Sequence, residues 1–372
     1  MGFADSKKVI DLIEKLVRAI WLDILSVSLP QPFPRITYNE AMVRYGSDKP
    51  DLRIPIQPFV SVSHLIPGDL VSMLTSIRHP IIDAMVLPFE ASPAETRNFI
   101  SRYLDSMEGK QFQVNPDGAP GVFVYDSSKP LQGLSALGFE AVENLERMLD
   151  LEDGHLVILQ ARKNQVLAGG STKLGDLRKG IYHAAVEGGL LKPPSWAHFE
   201  PLWVTDFPLF SPIDPSEPGQ GGHAGIASTH HPFTSPKAPE DVDHLLSDPT
   251  RAIGDHYDLV INGEEIGGGS RRIHHAAMQD FVFREILKMD ASKRDEFVHL
   301  LDALRSGCPP HAGIALGFDR LVAMVASSKL EKPMSMRDVI AFPKTGRGDD
   351  PMMQSPGAMT DEALGPYHLR LL

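Results

Sequence analysis

Hydrophobic spacing at the start of the chain predicts two helices joined by a proline-rich connection. Between residues 5 and 25, apolar side chains recur every three or four positions and charged ones occupy the opposite face, as in an amphipathic helix that packs on a core. Asp5 or Ser6 can cap this helix. A shorter helix is predicted over 39–45. The charged loop 46–53 has two interpretations, a solvated turn or a loop on the substrate side.

Residues 57–196 have a different pattern, with strands and amphipathic helices of their own. The strands are predicted at 82–87, 121–125, 156–160 and 165–167, and the helices at 93–107, 138–149 and 173–187. Residues 126–131 supply a loop. This mixture is typical of a compact α+β module. Because the block contains no dense cluster of His, Cys and carboxylate residues, we interpret it as an inserted domain without chemistry of its own.

The remainder of the chain returns to strands joined by loops. Strands are predicted at 202–210, 257–261 and 312–317, a last strand and loop at 338–345, and helices at 241–246, 279–289, 293–305 and 318–325. The Pro and Gly residues between 211 and 225 predict a mobile loop. Neighbouring strands joined by hairpins, without recurrent βαβ units, favour an antiparallel sheet flanked by helices over a Rossmann sheet.

A glycine-rich hairpin is the most informative stretch. Asn262-Gly263 is the dipeptide favoured in a two-residue turn whose central residues both need φ > 0. The return strand carries the glycines 267–269, which suit a ligand lying flat against the backbone. Glu265 and Arg272 are seven apart, so a regular strand would turn them to opposite faces, whereas a bulge within the glycines would bring them to one face. The alternative is a flexible turn with solvated charges.

Two further segments carry candidate chemistry. Adjacent His230 and His231 would project to opposite sides of a strand, which favours a structural role or a single hydrogen-bond donor over a metal site. The junction of strand and helix at 313–320 places Arg320 in the first helical turn, where it suits a phosphate or a flat ring. An ordinary junction with a surface arginine is the alternative. Neither a P-loop nor a Gly-x-Gly-x-x-Gly motif occurs.

Composition narrows the class of protein. The 372 residues leave room for two or three domains, with 42% hydrophobic and 23% charged residues, as in ordinary globular proteins. The net charge of −12 argues against a broad nucleic-acid-binding surface. The single cysteine, Cys308, excludes an internal disulfide. We find neither a membrane-spanning apolar run nor a secretory or transit leader, so no membrane partner is expected.

Four motifs, in order, resemble those of aspartyl-tRNA synthetases. They are YGSDKPDLR at 45–53, HHPFTSP at 230–236, the glycine hairpin at 262–274 and GIALGFDR at 313–320. The block 57–196 resembles the inserted, GAD-like domain of bacterial and organellar members, and the closing segment resembles mitochondrial ones. The resemblance implies an α+β, class II synthetase-like antiparallel sheet, with residues 1–56 and 197–372 as its two parts and 57–196 as the insertion.

The resemblance also implies roles for particular residues. Aspartate would be bound by His230 and Arg272, over a backbone floor of Gly267, Gly268 and Gly269. ATP and its Mg²⁺ would be held by Glu265 and Arg320, bordered by Gly317, Phe318 and Asp319. The implied reaction forms aspartyl-adenylate and then transfers aspartate to tRNA-Asp, with Arg320 and Glu265 as catalytic residues. We expect His230, Arg272, Arg320 and Glu265 to surround one pocket.

The chain departs from the family pattern at its start. The anticodon-binding barrel and the first two class II motifs, including the motif that builds the family's homodimer, have no counterpart in it. We therefore expect an N-terminally truncated chain with an incomplete sheet and little or no activity by itself. The alternatives are a non-catalytic binding module and one half of a split enzyme; a paralogue acting on a free amino acid is a further alternative. The resemblance places the protein in the mitochondrial matrix, with the bacterial cytoplasm as the alternative.

Overall fold

The computed structural model describes residues 1–129, 138–213, 223–357 and 359–370. The helices are α1 (Ser6–Ile20), α2 (Tyr38–Tyr45), α3 (Gly68–Leu74), α4 (Pro93–Asp105), α5 (Met107–Gln113), α6 (Phe139–Leu149), α7 (Lys173–Glu187), α8 (Pro239–Ser247), α9 (Ala276–Phe281), α10 (Ala291–Asp295), α11 (Val298–Arg305), α12 (Phe318–Leu330), α13 (Met336–Val339) and α14 (Asp361–Leu364). The strands are β1 (Arg35–Thr37), β2 (Val60–Ser61), β3 (Ile81–Leu87), β4 (Gly121–Val124), β5 (Leu156–Arg162), β6 (Pro201–Thr205), β7 (Phe210–Pro212), β8 (Ile226–Ser228), β9 (His256–Ile261), β10 (Glu264–Arg271) and β11 (Ala312–Leu316).

The central sheet has five strands in the order β1-β6-β9-β10-β11. The pairs β6–β9, β9–β10 and β10–β11 are antiparallel, but β1 and β6 are parallel. The sheet is therefore mixed, and the expectation of a purely antiparallel sheet is wrong at this edge. Hairpins force antiparallel pairing, whereas the long connection from β1 through residues 57–196 lets the chain return in the same direction.

The two faces of this sheet are covered differently. On one face, Trp203, Tyr257 and Leu259 pack under α1 and α12 in a core that also contains Val17 and Trp21. On the other face, a smaller core joins Leu202, Val204 and Val260 to Tyr38 and Met42 of α2. Because side chains alternate along a strand, β9 also sends His256 and Asp258 to this second face.

Helix α1 confirms the prediction for residues 5–25. Its N-cap is Asp5, whose carboxylate accepts a hydrogen bond from the Lys8 amide at 2.9 Å, and a short π-helical segment, Trp21–Leu25, continues it. Glu14 is buried and accepts a hydrogen bond from the Trp203 indole at 3.0 Å. The helix is thus fixed to the central sheet by a polar contact as well as by packing.

A second sheet, in the order β2-β3-β5-β4, lies within residues 57–196 and packs against its own helices. Strands at 82–87, 121–125 and 156–160 and helices at 93–107, 138–149 and 173–187 are confirmed to within two residues. The strand predicted at 165–167 is wrong, because the Gln165 amide bonds back to the Lys163 carbonyl in a turn. The loop 126–131 lies partly outside the described residues. The division into three domains stays a prediction.

Other predictions needed correction. The strand 202–210 is broken at Asp206, whose φ of 62° ends β6 before β7 begins. The segment predicted as a last strand at 338–345 begins as helix α13, where Ser335 and Asp338 form a capping box. Most of the loop 211–225 lies outside the described residues. None of the described helices combines the length and hydrophobicity that a membrane span requires.

Candidate functional site: a glycine-floored cavity on one face of the sheet

The β9–β10 hairpin forms as its sequence predicts. Asn262 and Gly263 have φ angles of 55° and 80°, the left-handed pair that a tight hairpin turn requires. Beyond the turn, Glu265 pairs with Val260 but Gly267 pairs with Leu259, so Ile266 is an extra residue in β10. The hairpin therefore contains the bulge that the spacing of its charges called for.

This bulge changes which side chains share a face. Cross-strand partners lie on the same face of a sheet, so Glu265 faces the side of Val260 and Gly268 the side of Asp258. Alternation after the bulge brings Arg272 to that side too. The expected bulge thus exists, but it lies at Ile266, immediately before the glycines rather than among them.

The glycines of β10 serve two purposes. A Cβ on Gly267 would lie 2.6 Å from the Ala315 carbonyl oxygen of β11, so only glycine permits this approach of two backbones. A Cβ on Gly268 would lie 2.7 Å from Asp258 Oδ1 on the pocket side. Gly268 and Gly269 line the cavity beneath the hairpin. Packing requires glycine at 267 and also at 269, where a Cβ would lie 2.2 Å from the Gly313 carbonyl oxygen.

Glu265, Arg272 and His230 surround one cavity of about 250 Å³. The cavity is lined by His230, His231, His256, Asp258, Glu265, Gly268, Gly269, Arg272 and Ala315. Three of the four side chains that were expected to share a pocket are therefore together.

Arg272 has unused bonding capacity. Its Nη1 is buried and has no hydrogen-bond partner, and its guanidinium carbon lies 4.9 Å from the centre of the Phe233 ring. No described carboxylate is within ion-pair distance of it. Burial lowers the pKa of the Arg272 guanidinium from its usual range. A buried cation without an anion is unfavourable, so the cavity is suited to an anionic ligand.

The two adjacent histidines both face this cavity, and the expectation that they would diverge is wrong. Strand β8 ends at Ser228, so His230 and His231 lie in a bend where alternation does not apply. His230 stacks on His256, with ring centres 3.6 Å apart and planes 8° apart. Desolvation is the main reason that the pKa of each ring falls to about 3, so both are neutral at physiological pH.

The carboxylate of Asp258 lies beside the histidines. Asp258 Oδ1 is 2.9 Å from His256 Nε2, while Asp258 Oδ2 is buried without a partner. Burial raises the pKa of the Asp258 carboxyl. Sequence reasoning missed Asp258 and His256, although their alternation along β9 with the core residues Tyr257 and Leu259 would have placed them on this face.

The second missed group is Lys49, from the charged loop 46–53. Its ammonium lies 2.6 Å from Asp48 Oδ2 and 3.5 Å from Glu265 Oε2. Of the two interpretations of that loop, the structure favours the one beside the site. No periodicity in the loop could have shown which of its charges reaches the hairpin, because the contact joins residues over 200 positions apart.

A transition metal does not suit the histidines as they stand. Ligand atoms of His230, His256 and Asp258 lie within 4.8 Å of one another. However, lone pairs on nitrogen lie in the plane of each ring, so two parallel stacked rings cannot direct theirs to one point. Asp258 and Glu265 instead offer oxygen atoms, including the unpartnered Asp258 Oδ2, and oxygen ligands are those that Mg²⁺ prefers.

A profile of the family "tRNA synthetases class II (D, K and N)" matches residues 1–346. The chain belongs to this family. Over all 372 residues it is 35% identical to the mitochondrial aspartate–tRNA ligase of Schizosaccharomyces pombe, and it covers 57% of that protein. The chain thus spans little more than half the length of this relative.

Solved structures of class II synthetases are similar to this chain at 15% identity. They include the aspartyl-tRNA synthetase of Entamoeba histolytica, with a TM-score of 0.30 and coverage of 92% of this chain and 59% of that one. Another is the asparaginyl-tRNA synthetase of Pyrococcus horikoshii, with a TM-score of 0.27 and coverage of 72% and 49%.

Arg320 does not line the cavity that holds the other three predicted residues. It follows Gly317 in the first turn of α12, donates a hydrogen bond to the Glu265 carbonyl and lies 3.7 Å from Glu264 Oε2. It lines a neighbouring cavity of about 560 Å³ with Glu264 and Trp196. The expectation of one shared pocket is thus wrong for Arg320, because successive residues of a strand face opposite sides and Arg320 is on the Glu264 side.

Proposed function

We propose that this synthetase chain carries the aspartate-activating part of an aspartate–tRNA ligase. Such an enzyme joins aspartate to ATP, releases pyrophosphate and passes the aspartyl group to tRNA-Asp. The observation that supports this best is the Arg272 guanidinium over a cavity of about 250 Å³, because its Nη1 is buried without a hydrogen-bond partner. A small carboxylate with room for an adjacent reacting group fits such a cavity.

Arg272 would select the substrate through its side chain. A guanidinium presents two parallel N–H groups that match both oxygens of a carboxylate. Asparagine has an amide nitrogen in place of one oxygen, so it would leave a buried donor facing another donor. His230 and His256 add no competing positive charge because they are neutral, which leaves the carboxylate to Arg272.

The carboxylates on the same face would hold the nucleotide's metal ion. Asp258 and Glu265 fit Mg²⁺ because both present oxygens to the cavity and one of them is unpartnered. Mg²⁺ would offset the negative charge of the ATP phosphates. In the proposed reaction the α-carboxylate of aspartate attacks the α-phosphorus of ATP, an O–P bond forms and pyrophosphate leaves. The chain contributes mainly position and charge.

Arg320 would bind ATP from the neighbouring cavity, with Gly317, Phe318 and Asp319 at its border. The contact that supports this is its hydrogen bond to the Glu265 carbonyl, which joins the two cavities through one residue. The Phe318 side chain is 74% exposed, so it is available to a flat ring.

The wider arrangement is also a proposal. Residues 57–196 would form an inserted domain within a catalytic domain made of 1–56 and 197–372, which the separate four-stranded sheet supports.

The mitochondrial relative supports a place in the mitochondrial matrix rather than a bacterial cytoplasm. Imaging of a tagged chain in its source cells tests that location.

Isothermal titration with L-aspartate and L-asparagine tests the proposed function. We expect aspartate to bind and asparagine to bind at least tenfold more weakly. The variant Arg272→Lys should lose about tenfold or more in aspartate affinity, because lysine cannot form the paired contact. Its matched control is Arg271→Lys on the opposite face, where the arginine pairs with Asp255 at 2.7 Å. Equal effects of the two variants would contradict the assignment.

Catalysis and binding are separable by a second measurement. Aspartate-dependent exchange of pyrophosphate into ATP reports adenylate formation. Binding with exchange that Arg320→Ala abolishes supports a ligase. Binding without exchange supports the alternative of a binding module, and restoration of exchange by an added polypeptide supports a split enzyme.

A further inference from the structure

Residues 169–172 of the block 57–196 lie directly against the loop that carries Lys49. The Thr172 amide donates to the Gly46 carbonyl at 2.9 Å, and the Asp48 amide donates to the Gly170 carbonyl at 3.1 Å. Ser47 and Ser171 form the antiparallel bridge between these two bonds. The contact is thus a short two-stranded ladder between the block and the loop.

The Tyr38 side chain and a glycine of α7 strengthen this ladder. The Tyr38 hydroxyl of α2 donates to the Gly169 carbonyl at 2.7 Å. At the start of α7, a Cβ on Gly175 would lie only 1.9 Å from the Gly46 carbonyl oxygen. The two backbones therefore touch, which leaves little freedom for the loop to move independently of the block.

Arg178 of α7 holds the other end of the loop. It is 1% exposed, donates to the Asp51 carbonyl at 3.3 Å and lies 5.6 Å from the centre of the Tyr45 ring. Its Nε and Nη1 have no partner among the described residues. A buried cation with so few bonds contributes little stability, so its effect is to specify how the two surfaces fit.

Lys49 is the residue that this arrangement places beside Glu265, at the edge of the cavity. Its ammonium lies between Asp48 and Glu265, at 2.6 and 3.5 Å. Glu265 and the neighbouring Asp258 are both acids, and phosphate would approach them more readily if a fixed cation were beside them.

We propose that the block 57–196 is a positioning element for Lys49, which it holds beside Glu265 through the 169–172 ladder and Arg178. The block then influences the charge beside Glu265, although none of its residues is among the described residues that line the Glu265 cavity. The consequence for ATP rests on the proposed function, but the placement of Lys49 does not.

Lysine labelling tests the placement without any ligand. Limited reductive methylation, quantified by mass spectrometry, reports how freely each lysine reacts. In the intact chain Lys49 should react slowly, because two carboxylates hold it as an ammonium. The variants Arg178→Met and Tyr38→Phe should each raise its labelling roughly three- to tenfold, as expected for the loss of one or two hydrogen bonds. Lys163 and Lys329 should be unchanged.

A matched control keeps this test specific. Arg97→Met removes an ion pair with Asp126 inside the same block, away from the ladder, and should leave Lys49 labelling unchanged. A general loosening of the fold would instead raise Lys49 labelling in Arg97→Met as well as in the other two variants. Unchanged Lys49 labelling in both Arg178→Met and Tyr38→Phe overturns the proposal, as does an equal increase in Arg97→Met.

A double-mutant cycle on ATP affinity tests the consequence. Arg178→Met should weaken ATP binding roughly tenfold in the parent chain but not in a Lys49→Met background, and Lys49→Arg should retain most of the affinity. Additive losses would overturn the link from the block to the pocket. If the parent chain binds no ATP, the proposed function fails, and the labelling result alone decides the placement.

Discussion

One face of the central sheet is filled with large apolar side chains, whereas the other carries histidines, carboxylates and an arginine around an open cavity. Trp203, Tyr257 and Leu259 are each at most 1% exposed on the first face. On the second, Arg272 and Asp258 retain buried polar atoms without partners. On β9 the two sets alternate, because Tyr257 and Leu259 face the apolar core whereas His256 and Asp258 face the cavity. The comparison teaches that stability and ligand binding are separated here by the two-residue period of a strand.

The largest effect is expected from a substitution in the apolar core. Trp203→Ala should lower the free energy of unfolding by about 3–5 kcal/mol, since a fully buried aromatic ring leaves a cavity. Glu265→Gln on the pocket face should change it by about 0.5 kcal/mol or less. Urea denaturation followed by far-UV circular dichroism measures both. Similar losses would show that the pocket face also supports the fold.

Neighbouring glycines of β10 allow a finer comparison. Gly267→Ala places a methyl group against the Ala315 carbonyl of β11, and the overpacking should cost about 1–3 kcal/mol. Gly268→Ala meets the end of the Asp258 side chain rather than backbone, so it should cost less stability than Gly267→Ala while aspartate affinity falls. Thermal melts and titrations of the two variants should therefore rank them in opposite orders. Identical rankings would count against the assignment of faces.

Substitution of Arg320 tests whether a residue from a helix on the apolar side contributes to ligand binding on the polar side. It belongs to α12, yet it donates to the carbonyl of Glu265. Arg320→Ala should weaken ATP binding roughly tenfold, the loss expected for one charge-assisted contact, with little effect on aspartate binding. Equilibrium binding of each ligand provides the measurement. Loss of both affinities together would indicate damage to the hairpin instead.

Acid should lower the free energy of unfolding through the two stacked histidines of the polar face. His230 and His256 have folded pKa values of about 3, below the usual value of about 6.5. Their contribution to stability is complete above the unfolded pKa and is lost as pH falls towards the folded one. Unfolding at pH 5.5 should therefore be easier by roughly 1 kcal/mol per histidine, partly offset by Asp258, whose pKa is raised.

The variant His230→Phe isolates this effect because phenylalanine retains a stacking ring that cannot titrate. The difference in unfolding free energy between pH 7.5 and 5.5 should be smaller in this variant than in the parent chain. His299→Gln, on exposed α11, should behave as the parent does. A pH dependence that His230→Phe leaves unaltered would exclude His230 as its source.

Local signals in the sequence were sufficient for part of this structure. Asn262-Gly263 fixes a turn through its φ preferences, and the spacing of Glu265 and Arg272 required a bulge if both were to meet one ligand. Helix α1 follows from a periodicity that extends over four turns. In each case the deciding interaction lies within a few residues along the chain.

Long-range contacts decided the rest. The parallel pairing of β1 with β6 depends on a connection through residues 57–196, and the place of Lys49 depends on backbone contacts with 169–172. His230 was assigned to a strand that ends two residues earlier, so alternation was applied where no strand exists. The resemblance implied that Arg320 lies in the common pocket, but the side of β10 that it reaches depends on how α12 packs, which no local pattern shows.

Because Ile266 is an extra residue in β10, the alternation of side chains between the two faces shifts by one position there. Had β10 paired regularly with β9, with no bulge at Ile266, every side chain beyond that point would exchange faces: Arg272 would turn towards the tryptophans, and Arg271 would take its place over the cavity. Recognition of an anion at this site consequently depends on the bulge in a strand as much as on the identity of any residue along it.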